Sequence, residues 1–154
     1  MLENLIEDGI EIGLAIRLLN LYLNLRGENQ RLATMDICSI DLYTGEADFY
    51  KYGAPASFVK GAEGVAVIKT EIDDSGSHSH FRSAPMAAGD FAVMVSDGIS
   101  EAFSQEHEEV GLQCLIESID TTNAQQLADS ILQAAAVRLK KNHDDMTVLV
   151  TKLW

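Results

Sequence analysis

The sequence predicts an α+β fold built on antiparallel strands, and three observations carry that prediction. Two amphipathic segments open the chain, short strand-like stretches separated by turn residues fill 31–70, and helical periodicity returns after Phe103 before one last strand. Strands grouped together between helices fit an antiparallel sheet with helices outside it, whereas a parallel sheet needs strand and helix in alternation. With 154 residues and 47% hydrophobic content, the chain suffices for one domain with a substantial core.

In the first segment, MLENLIEDG, Leu2, Leu5 and Ile6 make a short helical face that Asp8-Gly9 ends. In IGLAIRLLNLYLNL, Leu14, Leu18, Leu21 and Leu25 recur at helical spacing and predict a second helix packed against a domain or a partner, with core packing the simpler reading. Arg17, Asn20 and Asn24 make this stretch too polar, and it is too short, for a membrane span; the acidic start argues against a signal peptide. After a break at Arg26-Gly27-Glu28-Asn29, the run to Thr70 predicts an antiparallel meander with turns at Thr44-Gly45, at Gly53-Ala54-Pro55 and between Gly61 and Gly64. Residues 71–89 lose the apolar period and read as a long loop or weak strand, and FAVMV follows as a clear strand. HEEVGLQCLIESI and NAQQLADSILQAAAVRLKK are helical. Asn123 is the N-cap of the second, Gln126 stands at its N3 position, and Leu127, Ile131, Ala135 and Leu139 share one face. MTVLVTKLW closes the chain as a strand.

Eleven Lys and Arg against twenty-four Asp and Glu give a net charge of -13, which repels a phosphate backbone and argues against nucleic acid as a partner. Cys38 and Cys114 lie in apolar surroundings and read as core residues, with no disulfide framework, which fits a reducing cytoplasm.

Two acidic features stand at strand ends: Asp97 just after FAVMVS, and Asp144-Asp145 just before MTVLV. If these strands are antiparallel neighbours, the carboxylates converge. Oxygen ligands without thiolate or imidazole suit Mg2+ or Mn2+, which can acidify a water and direct it at a phosphoryl group. Taken singly, each feature is more simply turn or cap chemistry. His78 and His80 have strand-face spacing for a transition metal but read as exposed loop residues. His107 and His143 read as surface residues. Asp36, inside ATMDICSI, reads as an outward-facing strand acid, with a supporting place near a site as the alternative. Glu101 receives no role.

SDGISEAF and HDDMTVLV together resemble the paired C-terminal motifs of the metal-dependent type 2C (PPM-type) protein serine/threonine phosphatases. LATMDICSIDLYTGEADFYKYGAPASFVKGAEGV, AGDFAVMVSDGISEAF and NAQQLADSILQAA resemble, more particularly, the phosphatase domain of the bacterial stage II sporulation protein E family, and the likeness extends over nearly the whole chain. The resemblance implies two antiparallel sheets packed face to face and flanked by helices. It implies Asp97 and Asp144 as metal ligands, Asp145 and Thr147 as supporting residues, and Gly98 as the residue that lets the backbone turn behind Asp97. It also implies a centre of two Mn2+ or Mg2+ ions at which water attacks phosphoserine or phosphothreonine in line, so that no side-chain nucleophile is needed. The family's substrate, a phosphorylated anti-sigma-factor antagonist, and its outcome, activation of a sigma factor, are implied in the same way.

One departure from the family pattern matters. The family's N-terminal acid and a further Asp-Gly element find no match here, while residues 1–25 resemble the two switch helices that follow that element. The expectation is that 1–154 is the C-terminal portion of a phosphatase domain, with switch-like helices in 1–25 and a sheet and helix core in 31–154, truncated at its N-terminal side. Its metal site would then be incomplete, its own activity small, and its uncovered edges prone to homo-oligomer formation. A cytoplasmic location, free or as the cytoplasmic domain of a membrane protein, goes with this reading. From a different class, a non-catalytic phosphatase-like signalling or scaffold module would use the same fold for protein binding through its N-terminal helices. A phospho-acceptor receiver domain would need parallel strands alternating with helices, and residues 31–70 argue against it.

Overall fold

A computed structural model of the chain describes residues 2–26, 34–69, 79–103, 108–139 and 145–154. It divides into two compact units, Met1–Ala33 and Thr34–Trp154.

The first unit holds α1 (Leu2–Glu7) and α2 (Ile12–Arg26). Gly9, at φ +81°, ends α1 as the sequence predicts. The Glu11 carboxylate then accepts hydrogen bonds from Gly13 N at 2.7 Å and Leu14 N at 3.0 Å, which caps the start of α2. The leucine stripe expected to be core is exposed at Leu14, Leu18 and Leu21, and the buried positions are the neighbouring Ala15 and Ile16.

The second unit contains β1 (Met35–Ile40), β2 (Glu46–Tyr52), β3 (Ser57–Gly61), β4 (Gly64–Ile68), β5 (Ser79–Pro85), β6 (Phe91–Val95), α3 (Asp97–Glu101), α4 (Glu108–Ser118), α5 (Ala124–Arg138) and β7 (Val148–Lys152). Its strands form a three-stranded sheet in the order β1-β2-β5 and a four-stranded sheet in the order β4-β3-β6-β7, with antiparallel pairing throughout. The expected single meander is therefore divided: β1-β2 is a hairpin of one sheet and β3-β4 a hairpin of the other. The chain changes sheets through Gly53–Ala56, where the turn residues were legible but the change of partner was not. Residues 79–85, expected within a loop or weak strand, form β5 and pair with β2, so His80 lies on a strand opposite Lys51.

Alternation along the strands explains the layering. On β3 and β6, Phe58, Phe91, Val93 and Val95 pack with Ile99, Phe103, Leu112, Ile116, Leu127, Ile131 and Ala135 of the helices. The intervening Val59 and Ala92 pack instead with Ala47, Phe49 and Ala84 of the opposing sheet and with Met86 just beyond it. β6 is thus apolar on both faces, which is why FAVMV reads as a continuous hydrophobic run. Each large side chain buried here contributes about 1.5–3 kcal/mol of transfer free energy. Lys60 on β3 donates to the carbonyls of Ile116 and Ile119, each at 2.6 Å, and so fastens the C-terminal end of α4 to the sheet. Asn123 Oδ1 accepts from Gln126 N at 3.1 Å, as the N-cap pattern predicts.

The two cysteines differ. Cys114 is exposed, which corrects its assignment to the core: on α4 it lies on the side away from buried Leu112 and Ile116. Cys38 is partly buried, and burial first, then the carboxylates of Asp36 and Asp48, raise its pKa from 9.0 to about 11. Roughly a hundredfold less thiolate than an ordinary thiol follows at neutral pH. Brief iodoacetamide treatment at pH 8 followed by mass spectrometry is expected to label Cys114 and spare Cys38; equal labelling would show Cys38 to be accessible and ionised.

Candidate metal centre

The ends of β6 and β7 bring the two acidic motifs together. Val95 pairs with Val148, and beyond that pair Ser96 N donates to Thr147 O at 3.0 Å. The Ser96 hydroxyl then acts in both directions, donating to the Asp145 carbonyl at 2.9 Å and accepting from Thr147 N at 2.9 Å. Ser96 occupies the N-cap position of α3 with extended backbone, φ -81° and ψ 167°, yet its side chain makes no cap bond within that helix. It ties the two motifs to one another instead.

As a result Asp97 and Asp145 line a single cavity of about 380 Å³, together with Asp36, Ser96 and Thr147. Asp144 and its neighbour His143 lie outside the described residues, as do His78 and His107. Gly98 is buried in the first turn of α3 and is not among the glycines with positive φ.

Asp36 faces inward, against the outward reading from the sequence, because two residues on other strands hold it. Lys51 Nζ donates to Asp36 Oδ2 at 2.6 Å and to Ser57 Oγ at 2.8 Å, and Ser57 Oγ donates to the same Oδ2 at 3.0 Å. Lys51 and Ser57 are buried, with 2% and 0% exposure. Burial pushes the Lys51 ammonium below the ordinary lysine range, and the bond to Asp36 opposes that shift. Asp36 Oδ1 is buried and has no hydrogen-bond partner. An unmatched buried polar atom of this kind costs on the order of 1–3 kcal/mol. The missed sequence signal was the alternation on β2, where Ala47, Phe49 and Lys51 occupy successive inward positions.

The donor set is made of oxygen and suits a hard divalent cation. Among the described residues, no group of three His, Cys, Asp or Glu side chains is close enough to hold a metal ion, so the described part of the centre is partial. The orphaned Asp36 oxygen, in the wall shared with Asp97 and Asp145, fits a cation centre in character.

The family model of Stage II sporulation protein E (SpoIIE) matches residues 1–154. The chain belongs to the SpoIIE family. It is 32% identical over 160 residues to stage II sporulation protein E of Priestia megaterium, a match covering 99% of this chain and 27% of that protein. It therefore spans about a quarter of that relative's length. Among solved structures, it is similar to the Mn-presoaked phosphatase domain of the cell fate determinant SpoIIE from Bacillus subtilis, with 30% identity and a TM-score of 0.75, covering 99% of this chain and 71% of that one. A Bacillus subtilis structure of the PP2C phosphatase domain with a fragment of the regulatory domain matches with 28% identity and a TM-score of 0.84, covering 98% of this chain and 46% of that one. The paired antiparallel sheets with flanking helices are the SpoIIE PP2C phosphatase fold. No helix among the described residues is long and apolar enough to cross a membrane.

Proposed function

We propose that this SpoIIE-family chain is a portion of a metal-dependent phosphatase that removes phosphate from phosphoserine or phosphothreonine in a protein. The observation that carries the reading is the Ser96 link, which joins the approach to β7 to the end of β6 and puts Asp97 and Asp145 in one cavity wall. In this reading Asp97 and Asp144 hold Mn2+ or Mg2+, Asp145 and Thr147 support them, and Ser96 ties the Asp97 motif to Asp145 and Thr147. When bound, the cations supply the charge that acidifies water and neutralises phosphoryl oxygens. The acidic side chains have a second consequence: a phosphate dianion is repelled from this wall until cations are present, so substrate affinity and cation occupancy are coupled. A phosphorylated anti-sigma-factor antagonist as substrate, with sigma-factor activation as outcome, is the family-level extension of this proposal.

Residues 1–25 are proposed as switch-like helices and 31–154 as the C-terminal portion of the catalytic domain, with association into homo-oligomers and a cytoplasmic location. Two carboxylates do not fix two hard cations, so the 154-residue chain alone is proposed to turn over slowly. A phosphatase-like scaffold that binds proteins without catalysis is the second reading.

Phosphate release from a phosphoserine protein with Mn2+ separates the two readings. It should be measured on the chain alone and on the chain preceded by a segment bearing the family's first acid and Asp-Gly element. Turnover is expected in the extended form and lost on chelation. No turnover in either form, with Mn2+ binding indifferent to Asp97→Asn and Asp144→Asn, would leave the scaffold reading.

A further inference from the structure

Asp36, Lys51 and Ser57 form a charged cluster that the proposed Asp97 and Asp144 centre does not use. Asp36 on β1 and Lys51 on β2 are register partners in the three-stranded sheet, while Ser57 comes from β3 of the four-stranded sheet. The cluster therefore bridges the two sheets. The Lys51 side chain is 0% exposed and that of Asp36 16%, so both charges are largely removed from water. A buried pair of this kind adds little net stability over apolar residues of similar volume.

The three bonds are unevenly distributed. All the donated hydrogens that reach Asp36 go to Oδ2, and Oδ1 is buried without a partner. Native proteins match nearly all buried polar atoms, and an unmatched one marks a functional role or an ion or water partner. Asp36 belongs to the wall of the cavity that Asp97, Asp145, Ser96 and Thr147 also line.

We propose that Asp36 is a positioning carboxylate of the cation centre. Its Oδ1 accepts hydrogen bonds from the hydration shell of a divalent cation gathered by Asp97, while Lys51 and Ser57 hold Oδ2 and fix the plane of the group. Lys51 has a second part in this arrangement. Its buried ammonium, 2.6 Å from Oδ2, offsets the Asp36 charge before a cation arrives. Ser57 makes the orientation depend on both sheets, so Asp36 is set by the packing of the sandwich and not by one flexible strand. The inference rests on the metal-dependent reading above.

The test is Mn2+ affinity of the full chain, followed by electron paramagnetic resonance of free Mn2+, with the melting temperature recorded in the absence of metal. Asp36→Asn alone strands a buried lysine, so the decisive protein is the double variant Asp36→Asn/Lys51→Met, which removes both charges. It is expected to melt no lower than the wild type and to bind Mn2+ about 10- to 100-fold more weakly, the loss typical of groups that support metal ligands. Unchanged Mn2+ affinity in the double variant overturns the inference and leaves the cluster a structural clamp between sheets. Asp97→Asn distinguishes the two levels. If it weakens Mn2+ binding while the double variant does not, only the role of Asp36 falls. If neither variant weakens binding, the metal-dependent reading falls with it.

Discussion

Asp97→Asn is expected to lower Mn2+-dependent phosphate release from the N-terminally extended chain by about a thousandfold, corresponding to several kcal/mol of lost charge stabilisation. The fold should be indifferent to it. Asn preserves the volume of Asp. The local bonds involve other atoms: Ser100 Oγ donates to the Asp97 backbone carbonyl at 3.1 Å, and the link between strands uses the Ser96 hydroxyl. Removing one of the acids in the cavity wall also relieves like-charge repulsion, so the melting temperature in the absence of metal should stay level or rise. Steady-state turnover and thermal unfolding measured on the same preparation check both halves. Retention of more than a tenth of the activity would remove Asp97 from the centre, and a marked drop in melting temperature would assign it a structural role.

Gly45→Ala should produce the largest loss of stability at any single turn. Gly45 closes the β1-β2 hairpin at φ +75°, and its carbonyl accepts from Met86 N at 2.8 Å. A Cβ there would collide with the Met86 carbonyl oxygen, a backbone atom that cannot swing aside. Left-handed backbone for alanine and the collision together cost about 2–5 kcal/mol, or roughly 5–20 °C in a domain of this size. Gly89→Ala is the control, because Gly89 has φ +100° but nothing within 4 Å of the added carbon. Thermal denaturation should show Gly45→Ala well below Gly89→Ala, and equal losses would mean that the close approach to Met86 has no energetic weight.

The legible part of this fold is what local pattern controls. The apolar run of β6 announced a strand buried on both faces, Asn123 and Gln126 announced the start of α5, and Asp8-Gly9 the end of α1. Partner choice was not legible, since β2 pairs with β5 across an intervening hairpin that belongs to the other sheet. The candidate site divides in the same way. Asp97 and the Asp144-Asp145 pair stood out because each follows or precedes a strong strand. Ser96 did not, because its partners lie 49 and 51 positions away. Asp36 was read as outward because it is an acid inside a strand pattern, and the strand itself shows no burial alternation, all six residues being half-buried. Its place depends on Lys51, a charged residue at an inward position that becomes intelligible only when the adjacent strand supplies the acid.

The placement of β7 at the edge of its sheet bears on how the molecule would lose function. Leu149 is 60% exposed, and among the described residues the strand is hydrogen-bonded in the sheet only to β6. Local openings of such an edge require less free energy than global unfolding. Peeling of this one strand carries Asp145 and Thr147 away from Asp97 while the opposing sheet remains paired. On the proposed metal-dependent reading, competence would be governed by the fraying of a margin, and warming is expected to extinguish it before the core melts.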